Sequence, residues 1–591
     1  MNSKYNFDYT RYKKELLCIL TEINQTEKLN WRKFRQILSK YPKDGDKIFS
    51  KNNLVIGFQG LKSELKSEFK FDDNLLEKIQ MKPVRTQSGV TTVTVLTKPF
   101  PCPGRCIFCP NDVRMPKSYL RDEPGAQRAE RNSFDPYLQT FRRLDALKNI
   151  GHNVSKVELI ILGGTWSYYP ENYQIWFIKR CFEALNDFGD GLNKVNEAIG
   201  DIEQLKFDES DLDAHTIRTQ SYNKMISRIA QKSAVKLINQ KQIATWDELF
   251  VEHKRNETNN CRNVGLVIET RPDNISQAEI IRIRKLGCTK TQIGIQSLND
   301  KVLELNKRGH NVQATEDAFS LLRQAGFKIH GHWMGNLYGS TLEEDIHDYQ
   351  KLFKTPFFHP DELKIYPCML IETAELHDYF QKGLWKPYTN SGMLRLLIET
   401  IKATPDYCRL TRVVREFSAK DIVDGVKNSN MRQVAELEID KSGFKRRDIR
   451  SREIKTQEIS FEDLNLDIVS YDTYTSTEKF LQYVTKDYKI AGFLRLSLPL
   501  QRKHPFIKEL DGSSIIREIH VYGKSIKIGK KSDGNAQHLG LGTKLIEHAK
   551  IITKDSNYDK IAVISAIGTR EYYRKRGFVD GELYQIMKLS R

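Results

Sequence analysis

The chain has 591 residues, 39% hydrophobic and 29% charged, with a formal net charge of +18. That length predicts about three or four domains, and the composition excludes a disordered or collagen-like chain. No apolar run is long enough to cross a bilayer, and the start, MNSKYNFDYTRYKKELL, carries no signal-peptide core. The expectation is a soluble, cytoplasmic protein with no membrane role and a polyanionic partner, nucleic acid being the commonest. Six of the nine cysteines are isolated, and an odd total argues against a disulfide framework.

Residues 1–80 predict a helical, basic region, because YTRYKKELLCILTEI, WRKFRQILSKY and DDNLLEKIQ place apolar residues at three- and four-residue spacing. From residue 90 short β-branched runs alternate with helical periods. The runs are TTVTVLT (91–97), VELIILGG (157–164), VGLVIETRP (264–272), TQIGIQS (291–297), FKIHGHWMGNL (327–337) and ELKIYPCML (362–370). Six such strands separated by helices predict a parallel α/β sheet or partial barrel, with reactive groups at the carboxyl ends of the strands. This core is taken as 81–375, with a charged, mostly helical insertion at about 183–262. Residues 376–480 read as a connecting region holding the basic run FKRRDIRSREIK. Residues 481–591 read as a second α/β unit, with strands YKIAGFLRLSL, SSIIREIHVYG and KIAVISAIG, and with QHLGLGTKLIEHAKII as a glycine turn opening a helix.

PCPGRCIFCP places Cys102, Cys106 and Cys109 in one loop after the first strand. A closed zinc site needs a fourth ligand, and the next cysteine and histidine are distant, at Cys181 and His152. A [4Fe–4S] cube held by three thiolates keeps one iron open, where the amino and carboxylate groups of S-adenosylmethionine can chelate. A zinc ion completed by a remote ligand, or a chance cluster, are the alternatives. CxxxCxxC is the pattern of the radical S-adenosylmethionine superfamily, and Gly163 and Gly164 offer that cofactor backbone groups without side-chain bulk. In the second unit Gln537, Gly540 and Gly542 form QxxGxG at a helix start, where backbone N–H groups and the helix dipole can hold a pyrophosphate. The order of elements around it resembles the GNAT acetyltransferase fold, which binds acetyl-CoA. Tyr572 and Tyr573 are then candidate general acids, or simply packed aromatics.

The pairing resembles the Elongator catalytic-subunit family, the tRNA uridine-34 carboxymethylating enzymes. The resemblance rests on RTQSGV (85–90), PKSYLRDEPGAQRA (116–129), KVELIILGGTW (156–166), IETRPD (268–273), IGIQS (293–297), NKRGH (306–310), LKIYP (363–367), REIHVYG (517–523), QHLGLGTKL (537–545) and GTREYYRKRGF (568–578). It implies a radical S-adenosylmethionine partial (βα)6-type barrel, a C-terminal GNAT α/β domain and a helical N-terminal extension. It implies an acetyl radical made from acetyl-CoA that adds to C5 of uridine 34 in a tRNA anticodon stem-loop, giving 5-carboxymethyluridine. By the same resemblance Lys156, Glu518, Ile519, His520, Val521, Leu541, Gly542, Thr543 and Tyr573 line the acetyl-CoA site. Gly163, Gly164, Glu269 and Gln296 are candidates for the S-adenosylmethionine site, and Lys364 for the reacting carbon. Arg85, Lys117, Arg121, Arg128, Arg131 and the 445–452 arginines are candidates for phosphate contacts.

Two departures stand out. Family members often carry cysteines in the segment equivalent to FKRRDIRSREIK, whereas this chain has none after Cys408, so no structural zinc is expected and hydrogen bonds or salt bridges take its place. HWMGNLYGST (332–341) has Gly335 and Tyr338 where prolines are common. The competing readings are a protein lysine acetyltransferase and a non-catalytic tRNA-binding scaffold.

Overall fold

Short apolar and β-branched runs build the first sheet of this computed structural model, which describes residues 7–589 apart from 28, 69–70, 72, 82–88, 201–216, 218–219, 234–235, 416, 419, 426–429, 455–458 and 524–539. Its strands are β1 (Thr91–Leu96), β2 (Lys156–Leu162), β3 (Arg262–Thr270), β4 (Lys290–Gln296), β5 (Lys328–Trp333), β6 (Glu362–Ile365) and β7 (Arg409–Val413). They lie side by side in chain order, and every neighbouring pair is parallel. On β2 the residues Val157, Leu159 and Ile161 are buried in the main core, while Glu158, Ile160 and Leu162 line an interior cavity. A parallel sheet of this kind, covered by helices on its outer side, is a half-barrel whose inner face mixes charged, polar and apolar side chains.

The six expected strands are present, and β7 is a seventh from the segment expected to be a connection. RLTRV has two arginines and a threonine in five residues, so it carries no apolar run. Its Leu410 and Val413 nevertheless pack into the core, while Arg409 and Thr411 face the cavity.

Among the described residues four α-helices precede the barrel: α1 (Lys13–Gln25), α2 (Trp31–Lys40), α3 (Lys51–Leu65) and α4 (Asp73–Ile79). Their apolar stripes close on one another in a separate core containing Leu16, Ile19, Phe34, Leu54, Phe58 and Leu75. This small bundle touches the barrel helix α5 (Pro136–Asn149), where Gln59 Nε2 donates to the Lys148 carbonyl at 3.0 Å. The next barrel helix is α6 (Glu171–Asp190), and the charged segment after it contributes α7 (Tyr222–Lys232).

The second sheet runs in the order β8 (Asn465–Asp472), β9 (Ser476–Val484), β10 (Ile490–Pro499), β11 (Ser513–Val521), β12 (Lys560–Val563), β14 (Gln585–Lys588) and β13 (Val579–Asp580). It therefore begins some residues before 481, inside the expected connection. The β11–β12 pair is parallel and joins only Ser513–Ile516 to Lys560–Val563, so Glu518–Val521 diverge from β12. One helix, α8 (Leu541–Asp555), follows the QxxGxG turn, and the short α9 (Arg570–Arg574) carries the two tyrosines.

The two sheets share one hydrophobic core and a buried ionic cluster. Asp361, at the start of β6 and wholly buried, accepts from Arg517 at 2.7 Å and lies 3.3 Å from Arg495 and 3.4 Å from Arg323. Those guanidiniums hold its carboxyl far below the usual carboxylate range, outweighing the burial that opposes them. The FKRRDIRSREIK segment is held by ion pairs and hydrogen bonds: Arg447 to Asp406 at 2.6 Å, Arg446 to Asp440 at 3.1 Å, and Arg452 to the Asp406 carbonyl at 2.7 Å.

Candidate active site

The cysteine loop leaves the carboxyl end of β1 and is clamped from both sides. Cys102 N–H donates to Asn223 Oδ1 at 2.9 Å, and Asn223 Nδ2 donates back to the Cys102 carbonyl at 2.9 Å. Further on, Ile107 N–H reaches the Asn306 carbonyl at 3.2 Å, and Leu376 N–H reaches the Ile107 carbonyl at 2.8 Å. Cys102 and Cys106 are buried and Cys109 is partly so. The Cys109 thiol donates to Cys106, and Arg308 and Arg271 lie nearby, so the Cys106 thiol is held well below its ordinary value while Cys109 is pushed well above.

Among the described residues no three histidine, cysteine or carboxylate side chains converge tightly enough for a single ion. A cluster with its own bridging sulfides spreads its thiolates over three metal corners and does not need that convergence. Three thiols from one loop, set beside two buried guanidiniums, fit such an anionic group.

Gly163 and Gly164 follow β2 directly. Gly163 has φ +129°, and a Cβ there would sit 1.9 Å from Thr97 Oγ1, so only glycine fits. Gly164 has φ +79°, and a Cβ there would meet only the Lys117 backbone, at 3.9 Å, so its own backbone is free of steric conflict. Glu269, near the end of β3, accepts from Tyr119 Oη at 2.8 Å and faces His332 Nδ1 at 3.4 Å. Gln296 ends β4 at φ +70°, a strained conformation for a residue other than glycine. Glu269, Gln296, Phe108 and Cys109 all line one cavity of about 140 Å³.

A larger cavity of about 550 Å³ fills the half-barrel and extends to the second sheet. Its charged wall alternates in sign: Glu158 pairs with Lys290 at 2.7 Å, Lys290 with Glu362 at 3.2 Å, Glu362 with Lys328 at 2.8 Å, and Lys328 with Glu518 at 2.5 Å. Leu162, Lys364 and Arg412 line both cavities and so form the wall between them. Lys364 Nζ donates to Gln292 Oε1 at 2.5 Å, an oxygen that also faces His332 Nε2 at 3.0 Å. Burial brings the Lys364 ammonium down to about 8, with the nearby Glu269 carboxylate opposing the shift.

The structure separates the remaining candidates. Glu518, Ile519, His520 and Tyr573 line the large cavity. Val521 ends β11 beside Gly542, its Cγ2 lying 3.8 Å from where a Gly542 Cβ would be. Tyr572 packs over the turn outside the cavity: a Cβ on Gly542 would lie 2.6 Å from its Oη, and Arg576 stacks on its ring at 3.5 Å while donating to Thr543 Oγ1 at 2.9 Å. Gly540 caps α8 at φ +67°, and Leu541 is buried beneath it. Lys156 opens β2, two residues before Glu158, and is half-buried with a lowered ammonium value from desolvation. Gln537 and Arg85 lie outside the described residues.

Two phosphate candidates are corrected, Lys117 and, among the 445–452 arginines, Arg452, which is buried and donates to the Asp406 carbonyl at 2.7 Å. Lys117 is buried, donates to Asn111 and sits 5.2 Å over the Tyr222 ring, so it serves the loop interior. Arg121 is half-exposed and pairs with Glu130 at 2.8 Å, and Arg131 is exposed at the end of the helix Pro124–Arg131. Sequence reasoning did not single out Asn223, Arg271, Arg308, Gln292, His332 or Arg412. Arg271 and Arg308 stand inside the quoted IETRPD and NKRGH segments, which was a usable signal; Asn223 sits in the insertion, where nothing marks it.

A parallel half-barrel with a three-cysteine loop beyond its first strand defines a radical S-adenosylmethionine protein. Residues 240–351 match the model of the Radical SAM superfamily, and 360–441 that of the Radical_SAM C-terminal domain. The chain is 36% identical over 521 residues to the tRNA uridine(34) acetyltransferase of Methanocaldococcus jannaschii, covering 85% of each. It is 32% identical over 522 residues to Elongator complex protein 3 of Homo sapiens, again covering 85% of each. The solved structure of archaeal Methanocaldococcus infernus Elp3 with an N-terminal deletion superposes with a TM-score of 0.65 at 32% identity, over 85% of this chain and 99% of that one. The chain belongs to the family of Elongator complex protein 3 and the tRNA uridine(34) acetyltransferases.

Proposed function

We propose that this protein modifies uridine 34 of tRNA with a two-carbon unit from acetyl-CoA, using S-adenosylmethionine as the radical source. The observation that carries this reading is the wall formed by Leu162, Lys364 and Arg412, which line both the cavity beside the cysteine loop and the cavity reaching Tyr573 and Glu518. A radical made on one side and an acyl group held on the other would meet there, away from bulk water. The name of the M. jannaschii relative, a tRNA uridine(34) acetyltransferase, supports tRNA and an acyl group as substrates.

Cys102, Cys106 and Cys109 would hold a [4Fe–4S] cluster, whose chemistry there would be the one-electron cleavage of S-adenosylmethionine to a 5′-deoxyadenosyl radical. In this reading that radical would take a hydrogen atom from the acetyl methyl group, and the resulting carbon radical would add to C5 of the base. The adduct radical would return one electron to the oxidised cluster and give its C5 proton to a base, and water would then cleave the thioester, releasing coenzyme A and leaving 5-carboxymethyluridine.

The chain's own groups have separable tasks. Gly164 offers backbone to the cofactor, and Glu269 accepts hydrogen bonds from its hydroxyls. Lys364 Nζ, with its value near 8, is placed to take the C5 proton at the boundary. The Tyr573 hydroxyl stays protonated because burial raises it, and can donate to the departing thiolate. Glu518–Val521, parted from β12, leave strand edges that can bind the pantetheine amides. A flipped-out anticodon base suits a strongly basic protein.

Acetylation of a protein lysine would use only the second unit and leaves the shared wall without a purpose. The test is anaerobic incubation of reconstituted protein with dithionite, S-adenosylmethionine, acetyl-CoA and tRNA. Expected products are tRNA-dependent 5′-deoxyadenosine and carboxymethylated uridine, both abolished by Cys109→Ser. Full modification by the Cys109→Ser protein would overturn the reading.

A further inference from the structure

Two guanidinium groups lie against the cysteine loop with less negative charge than they need. Arg308 is 6% exposed and Arg271 4%. Arg271 is paired: Nε and Nη2 each donate to Asp273 at 2.9 Å, and Nη2 also donates to the Arg308 carbonyl at 2.7 Å. Arg308 has no carboxylate at ion-pair distance among the described residues. Its polar partners are the Gly294 carbonyl at 2.7 Å and Cys106 Sγ at 3.6 Å.

Each arginine keeps one buried N–H without an acceptor, Nη1 of Arg271 and Nε of Arg308. The Arg271 group is aimed at the loop itself, since a Cβ on Gly104 would sit 2.3 Å from Nη1. A guanidinium cannot shed its proton, and burying one beside neutral groups is costly. Two of them around a single carboxylate mark a place where further negative charge belongs.

An oxidised [4Fe–4S] cube held by three thiolates carries one net negative charge, and one-electron reduction makes it two. Positive charge at fixed distance stabilises the reduced form more than the oxidised form. We propose that Arg271 and Arg308 are positioning residues that raise the reduction potential of the cluster on this loop, with Asp273 tempering the effect. The inference rests on the cluster reading of Cys102, Cys106 and Cys109. The step is the gain of one electron from an external low-potential donor, with no bond made or broken, and the added charge stays on the core beside the two guanidiniums. Arg308 acts through its N–H facing Cys106 Sγ, because hydrogen bonds to cluster sulfurs favour the more electron-rich state.

The experiment is a redox titration of full-length, anaerobically reconstituted protein, with dithionite and mediator dyes, following the electron paramagnetic resonance signal of the reduced cluster. Iron and sulfide are counted in every sample. At the wild-type midpoint, Arg308→Gln is expected to lower the ratio of reduced to oxidised cluster at least tenfold, about 59 mV for a one-electron couple. Arg308→Lys keeps the charge and stays within threefold of wild type. Asp273→Asn removes the tempering carboxylate and moves the ratio the other way, upward. A purely structural role would not produce opposite signs.

Loaded Arg308→Gln at the wild-type midpoint overturns the proposal. If Arg308→Gln assembles no cluster, the decision falls to Asp273→Asn, and a midpoint equal to or below wild type overturns it. A wild-type protein that binds neither iron nor sulfide overturns the cluster reading, and this inference with it.

Discussion

Asn223, on a helix of the charged insertion, exchanges two 2.9 Å hydrogen bonds with the backbone of Cys102, more than a hundred residues earlier in the chain. One side chain thus satisfies both the donor and the acceptor of the first cysteine in the loop, a span that no helix or strand supports. Asn223→Ala leaves both groups without their partner, at a cost of about 2–3 kcal/mol in local stability. The expected outcome is faster amide exchange across residues 102–109 and a lower iron content after reconstitution, with the melting of the remainder unchanged. Hydrogen–deuterium exchange read by mass spectrometry checks the first, and iron analysis the second.

Lys364 presents its ammonium to Gln292 inside the wall between the cavities. Lys364→Gln is expected to reduce uridine modification about a hundredfold or more while cluster content stays at the wild-type level. Because the amine must be neutral to accept a proton, the chemical step should rise with pH through about 8 and level off above it. Stability carries the same signature. The unfolded lysine keeps its proton up to its ordinary 10.5 while the folded one loses it from about 8. The unfolded state therefore binds more protons in that window, and stability rises with pH across it. Denaturant titrations of wild type and Lys364→Met between those values should show the rise only in the former.

Tyr572 and Tyr573 are adjacent and their rings meet edge to face at 5.2 Å, yet only Tyr573 lines the cavity. Tyr573→Phe removes a candidate acid and is expected to slow acetyl-CoA consumption by about a hundredfold. Tyr572→Phe keeps the ring under Arg576 and should change the KM for acetyl-CoA less than tenfold. Equal losses in kcat from the two variants would contradict this division.

Arg517 joins the second sheet to the barrel through Asp361, at 2.7 Å, and to Glu478 at 2.8 Å, and all three side chains are almost wholly buried. Arg517→Met leaves two buried carboxylates short of a cation, and the loss should be about 3–5 kcal/mol, read from urea unfolding. Asp361 has a depressed folded value, so the stability it contributes is present above the ordinary carboxylate range and is lost progressively as pH falls from that range toward the much lower folded value. Arg517→Met should blunt that acid sensitivity.

Gly163 and Gly164 offer a contrast within one dipeptide. Alanine at Gly163 would drive its Cβ to 1.9 Å from Thr97 Oγ1 and should prevent β1 and β2 from ending together, costing several kcal/mol. Alanine at Gly164 meets no atom closer than 3.9 Å and bears only the strain of φ +79°, roughly 1–2 kcal/mol. Its larger effect should fall on S-adenosylmethionine affinity, measured by equilibrium dialysis.

The barrel strands were legible because they are short apolar runs between helical periods, a pattern that needs no partner to be read. TTVTVLT and VELIILGG announce themselves, and the cysteine triplet stands out by spacing alone. The β7 run RLTRV could not be found this way. Three of its five residues, Arg409, Thr411 and Arg412, face a charged cavity, so the usual apolar signal is replaced by arginines whose partners lie elsewhere in the chain. The start of the second sheet was hidden for a related reason: β8 is an edge strand, largely exposed, and its NLDIVSYD carries as many polar as apolar residues.

Order along the chain was enough to name the candidate groups: three thiols, a glycine pair, a glycine turn before a helix, and two tyrosines. Folding alone decided which of them meet. Tyr573 faces the interior and Tyr572 does not, Lys117 turns inward, and Lys364 stands at the joint of two cavities, because each depends on contacts between segments far apart in the chain. Side-chain direction follows from packing and charge pairing, and those are settled only when both sheets close around one core.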